Sequence, residues 1–139
     1  IVNRGYASEL ANYGEYSGDP QEDLVELYTN EVLSCLKKVT KKKTLFIGGG
    51  IANFTDVAST FSGIIKSIHS NQEALKDTVV WIRRGGPNYK KGLDNLKKVL
   101  DSYKIENYVH GPESPITDIL SKALRIQDLV DNLLNISKP

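Results

Sequence analysis

The stretch Leu45–Phe61, LFIGGGIANFTDVASTF, limits what this chain can fold into more than any other. Leu45, Phe46 and Ile47 form a short apolar run of the kind that fills a central parallel strand. Gly48, Gly49 and Gly50 then remove three side chains where the chain is expected to reverse, and glycine lets a ligand approach the backbone closely. From about Asn53 to Ser70 a helix is expected, with Val57, Phe61, Ile64, Ile65 and Ile68 as its buried stripe. A strand–glycine–helix unit directs unpaired amides and the positive helix end into one small space suited to phosphate or carboxylate. Two readings fit the residues: an anion-binding glycine loop, or a plain chain reversal. The order G-G-G-I-A-N-F-T matches neither the dinucleotide fingerprint GxGxxG nor the phosphate loop GxxxxGK.

The flanking segments alternate in the same way. Ala11–Ser17 reads as a short strand or as a loop running along a sheet. Asp19 as N-cap and Pro20 at the first helical position open a helix of roughly residues 20–39, with Leu24, Leu27, Tyr28, Val32, Leu36 and Val39 at helical spacing. Thr78–Ile82 is a β-branched and aromatic strand. Tyr89–Tyr103 is an amphipathic helix with Leu93, Leu96, Val99 and Leu100 inward. Tyr108–His110 is a short strand, and helices are expected from about Pro115 to Leu124 and from Gln127 to Asn135. Alternating β and α segments with short connections predict an α/β domain: a parallel sheet with helices on both faces. Ligands of such sheets bind beyond the carboxyl ends of the strands, at a switch point of strand order. Three loops are expected there, Gly48–Asn53, Arg83–Asn88 and His110–Ser114.

The length of 139 residues suits one domain. Lys plus Arg number 18 against 17 Asp plus Glu, which removes the electrostatic argument for nucleic acid or an anionic membrane. No apolar run is long enough to span a bilayer. A single cysteine, Cys35, fits a reducing compartment and is expected to be a buried thiol inside the first helix. The chain begins at Ile1 and contains no Met, which predicts an excised domain or a processed product.

At the expected carboxyl edge, Arg83 and Arg84 stand side by side. Strand alternation sends them to opposite faces, so one at most enters a given crevice. Arginine offers a planar fork that fits a carboxylate or phosphate; the competing use is a salt bridge to a neighbouring helix. Asn53 and Thr55 either cap the following helix or face a ligand. His69 and His110 lack the spacing of metal ligands, and no nucleophile–base pair is visible. The residues point to anion binding without a complete catalytic apparatus.

Three segments, Glu9–Pro20 (ELANYGEYSGDP), Ile47–Ile65 (IGGGIANFTDVASTFSGII) and Ile82–Leu93 (IRRGGPNYKKGL), closely resemble the citrate-binding domain of ATP-citrate lyase. That domain is related to the C-terminal domain of the succinyl-CoA synthetase β subunit. The likeness runs from about Glu9 to Leu124. It implies a flavodoxin-like, three-layer α/β/α domain over residues 1–139, with 125–139 as a helical extension. It implies citrate contacts at Gly18, Asn53, Phe54, Thr55 and Arg84, and it makes the helix after Asn53 the family's "power helix", aimed at a phosphohistidine elsewhere in the enzyme. The synthetase matches Arg83 but is apolar at the position of Arg84, and an added arginine suits a tricarboxylate. In the full enzyme the resemblance implies ATP, Mg²⁺ and CoA as cofactors and the remaining domains or subunits as partners. It also implies a homo- or hetero-oligomer, a cytoplasmic location, and a fragment that is inactive alone. Two alternatives share this fold: a subunit domain of citryl-CoA synthetase or succinyl-CoA synthetase, and a non-catalytic carboxylate-binding module.

Overall fold

Three strands make up the sheet among the described residues, and each pairs in parallel with its neighbour in sequence. In the computed structural model, which describes residues 1–16 and 18–125, they are β1 (Lys43–Ile51), β2 (Thr78–Gly85) and β3 (Asn107–His110), in the order β1-β2-β3. Leu45 pairs with Val80 and Ile47 with Ile82, and Ile82 in turn pairs with Val109. Among the described residues four α-helices flank the sheet: α1 (Glu22–Lys37), α2 (Val57–Asn71), α3 (Tyr89–Ser102) and α4, described over 116–125. The helix expected over 127–135, and the extension beyond Arg125, lie outside the described residues.

Alternation along β2 divides the interior in two. Val80 and Ile82 face one side and join α1, α2 and α3 through Leu33, Phe61, Ile68, Leu96 and Leu100. Val79 and Trp81 face the other side and meet Ile119 and Ala123 of α4. Each fully buried aliphatic side chain contributes about 1.5–3 kcal/mol of transfer free energy, so the first side holds most of the stability. Since α2 and α3 connect successive strands of one monotonic sheet, both cover the same face, as crossovers of one hand require.

Several expectations change. The glycine run does not form a turn: Gly48, Gly49 and Gly50 lie inside β1, with the register against β2 shifting between Gly48 and Ile51. Helix α1 begins at Glu22, with Gln21 at its N-cap and no side-chain capping bond, so Asp19 and Pro20 precede it. Its buried residues are Val25 and Leu33, while Leu24 and Leu27 are exposed. At Gly63 of α2 a Cβ would come within 2.9 Å of Val25 Cβ, so the close approach of the helices is centred on Val25 and not on Leu24; of the expected stripe, Leu36 packs against the core and Tyr28 and Val32 are half-buried. Cys35 is exposed, not buried. Residues 11–16 carry no strand. The strand order shows no reversal among the described residues, so the expected switch point is absent there.

Candidate functional site

The three carboxyl-edge loops do come together. The Ala52 amide donates to the Gly85 carbonyl at 3.0 Å, and the Val57 amide donates to the Pro87 carbonyl at 3.1 Å. Gly86 has φ 128, and a Cβ there would lie 2.8 Å from Ala52 Cβ, so only glycine fits the crossing. A Cβ on Gly85 would meet Pro112 at 2.8 Å, which brings the third loop against the second.

Arg83 is only 7% exposed. Its guanidinium donates to three carbonyls: Nε to Ser114 at 2.8 Å, Nη1 to Gly49 at 2.9 Å and Nη2 to Pro112 at 3.2 Å. It thereby ties β1, β2 and the loop after β3 together, on the α4 side of the sheet. Arg84 leaves the other side. Its Nη1 donates to the Gly50 carbonyl at 3.2 Å, and among the described residues no carboxylate pairs with it. Half-burial, and secondarily the Arg83 charge, lower its pKa from the ordinary arginine value. Among the described residues Arg84 is therefore a desolvated cation with most of its donors uncommitted, which is an environment that attracts an anion.

The glycine run serves this arrangement. A Cβ on Gly49 would overlap Arg84 Nη1 and lie 2.9 Å from its Cζ; a Cβ on Gly50 would meet nothing within 4 Å. The run thus provides room and carbonyl acceptors for the arginines, instead of a loop of amides for an anion.

Arg84 opens into a cavity of about 230 Å³ lined by Gly18, Gly48, Thr55 and the apolar residues Leu33, Ile47 and Phe61. The segment before α1 forms its outer wall, where Asn12, Gly14 and Tyr16 alternate toward the space and the Tyr16 and Tyr28 rings sit 5.6 Å apart. Thr55, 5% exposed, donates its hydroxyl to the Gly18 carbonyl at 2.6 Å. A larger groove of about 690 Å³ opens at the amino edge among Lys42, Lys76 and Lys104, with none of the expected site residues.

Four of the eight expected positions, Gly18, Gly48, Thr55 and Arg84, thus surround one cavity. Gly49 and Gly50 touch Arg84 from β1. Asn53 and Phe54 lie exposed in the bend before α2, and neither amide holds a hydrogen bond among the described residues. Asn53 does not start the helix. The N-cap is Asp56, whose Oδ1 accepts from the Ser59 amide at 3.1 Å. That bond, then one from Asn88, holds the Asp56 carboxyl below the usual carboxylate range. The helix end therefore already carries a carboxylate, and the free amides lie just upstream of it. Asp56 and Asn88 escaped the sequence reading, although an Asp immediately before the first apolar residue of the stripe is the usual N-cap signal. Among the described residues no group of three His, Cys, Asp or Glu could hold a metal ion, and no helix is long and apolar enough to cross a membrane.

A sequence profile described as "ATP citrate lyase citrate-binding" matches residues 1–126. The chain is 46% identical over 129 residues to ATP-citrate synthase alpha chain protein 2 of Arabidopsis thaliana, covering 90% of this chain and 30% of that protein. It is 44% identical over 128 residues to the ATP-citrate synthase of Mus musculus, covering 89% of this chain and 12% of the mouse protein. The solved ATP citrate lyase from Methanothrix soehngenii, in complex with citrate and coenzyme A, superposes with a TM-score of 0.86 at 41% identity. That match covers 90% of this chain and 34% of the other. The chain spans about a third or less of each of these relatives, and the match covers nearly all of its own length. It belongs to the ATP citrate lyase citrate-binding family.

Proposed function

We propose that this chain binds citrate at the mouth of the Arg84 cavity, as the citrate-binding part of an ATP-citrate lyase. The observation that carries the reading is Arg84: half-buried, aimed at the cavity, and without a carboxylate partner among the described residues. Its fork takes one carboxylate of the ligand in two bonds. The amides of Asn53 and Phe54, in the bend upstream of the Asp56 carboxylate that caps α2, take a second. Gly18 offers its backbone, and Thr55 reaches the ligand by turning its hydroxyl from the Gly18 carbonyl. The solved relative in complex with citrate supports the choice of ligand.

In the whole enzyme the domain presents citrate to phosphoryl transfer from a phosphohistidine. CoA then displaces phosphate, and cleavage yields acetyl-CoA and oxaloacetate from ATP, citrate and CoA. ATP, Mg²⁺ and CoA are held by other parts of that enzyme, in the cytoplasm and within an oligomer. The chain by itself does not form CoA thioesters. Calorimetric titration with citrate and with succinate tests the reading: citrate binds more tightly, and a chain that binds neither overturns it.

A further inference from the structure

Two separate stretches build the candidate site. The bend 52–55 brings the free amides of Asn53 and Phe54, and β2 brings Arg84. The loop following Arg84 is knit to the bend through backbone at Ala52–Gly85 and Val57–Pro87. One bond between them is made by two side chains: Asn88 Nδ2 donates to Asp56 Oδ2 at 2.9 Å. Asp56 thus spends one oxygen on the start of α2, through Ser59, and the other on the residue that starts α3. Asn88 does not cap α3 with its own side chain, and it sits at φ 57, a left-handed conformation that costs a non-glycine residue energy. The Asn88 side chain thus points to Asp56 and not to the first turn of α3. Lys91, in the first turn of α3, adds a favourable charge toward the same carboxylate.

Resting on the citrate-binding reading above, we infer that Asp56 and Asn88 are positioning residues for the ligand: their side-chain bond sets the spacing between the Asn53–Phe54 amides and the Arg84 guanidinium, and the Asp56 charge at the head of α2 turns the ligand's third carboxylate away from that helix end. Both effects have one physical basis. Two anchors hold a polycarboxylate well only at one separation, and a fixed negative charge at the helix head repels a third anionic group there.

The test uses the full chain, with citrate titrated by calorimetry and stability followed by thermal melting. Asn88→Gly suits φ 57 and removes only the side-chain bond, so its melting temperature stays near the parent's while citrate binding weakens about three- to tenfold. Asp56→Asn keeps an oxygen for the Ser59 amide and removes the charge; it admits inorganic phosphate at the helix head, which the parent does not bind. In an Arg84→Leu background, Asn88→Gly has no further effect on citrate affinity, because the spacing it controls no longer joins two anchors. A merely structural bond predicts the reverse: a lowered melting temperature, unchanged affinity and no dependence on Arg84. If the parent binds citrate through Arg84 and Asn88→Gly matches it, the positioning role is overturned and the citrate reading stands. If the parent does not bind citrate, both fall.

Discussion

Arg83 and Arg84 are adjacent in sequence and leave β2 on opposite faces, where their surroundings differ in kind. On the α4 face, Arg83 is buried and spends its donors on three backbone carbonyls from two other segments. On the cavity face, Arg84 is half-buried, makes one bond to Gly50, and keeps a desolvated charge that burial disfavours. A buried polar group fully matched by the protein is structure; one left partly unmatched is a place for something else to bind. The comparison shows that residue type at a strand end says little until the acceptors around it are counted.

Arg83→Leu separates the two most sharply. It orphans three carbonyls and leaves their loop untied, so unfolding in urea should show a loss of about 3 kcal/mol. Parent-like stability would mean that the carbonyls find water and that the Arg83 side is not the anchored one. Arg84→Leu should do the opposite. Stability stays within about 0.5 kcal/mol of the parent, while citrate affinity drops on the order of ten- to a hundredfold and succinate affinity changes much less.

Gly49→Ala sharpens the same contrast from β1. The three atoms nearest the added methyl all belong to the flexible Arg84 side chain, so the fold tolerates it but the guanidinium moves. Citrate binding should weaken by about fivefold, with Gly50→Ala, which meets nothing within 4 Å, as the silent control. Equal effects of the two substitutions would argue that the strand itself, and not the seat of Arg84, is what the glycines protect.

The smallest effect belongs to His110, on the Arg83 side. Its ring stacks on Trp81 at 6.2 Å and its Nε2 is buried without a hydrogen-bond partner among the described residues. Burial, then the Lys122 charge, lower its pKa below 6.5, against a weaker opposite pull from Glu113. The unfolded chain thus takes up this proton at higher pH than the folded one. The stability contribution is full above pH 6.5 and is lost as pH falls through the depressed folded value. His110→Phe keeps the stack and removes the orphan atom. Denaturant unfolding between pH 7 and pH 5 should show a shallower loss than in the parent; an unchanged slope would assign the pH dependence to other groups.

The sequence by itself determined the alternation of strands and helices. Each buried element carries its own period: two for β2, which sends Val79 and Trp81 one way and Val80 and Ile82 the other, and 3.6 for α2 and α3. It also determined that Arg83 and Arg84 part company, and the long motifs around Gly18, Asn53 and Arg84 carried the family. The tertiary structure decided what no local period encodes. Leu24 and Leu27 are exposed, and the close approach at Gly63 is centred on Val25. Gly48–Gly50 continue the strand, and Phe46 and Arg84 fill the space that a side chain would take at Gly48 and Gly49. Asp56, not Asn53, caps α2, and its second oxygen reaches Asn88, 32 residues away. These outcomes depend on which atoms meet across segments distant in sequence, and such meetings are fixed by packing and hydrogen-bond geometry, not by the neighbours of a residue in the chain.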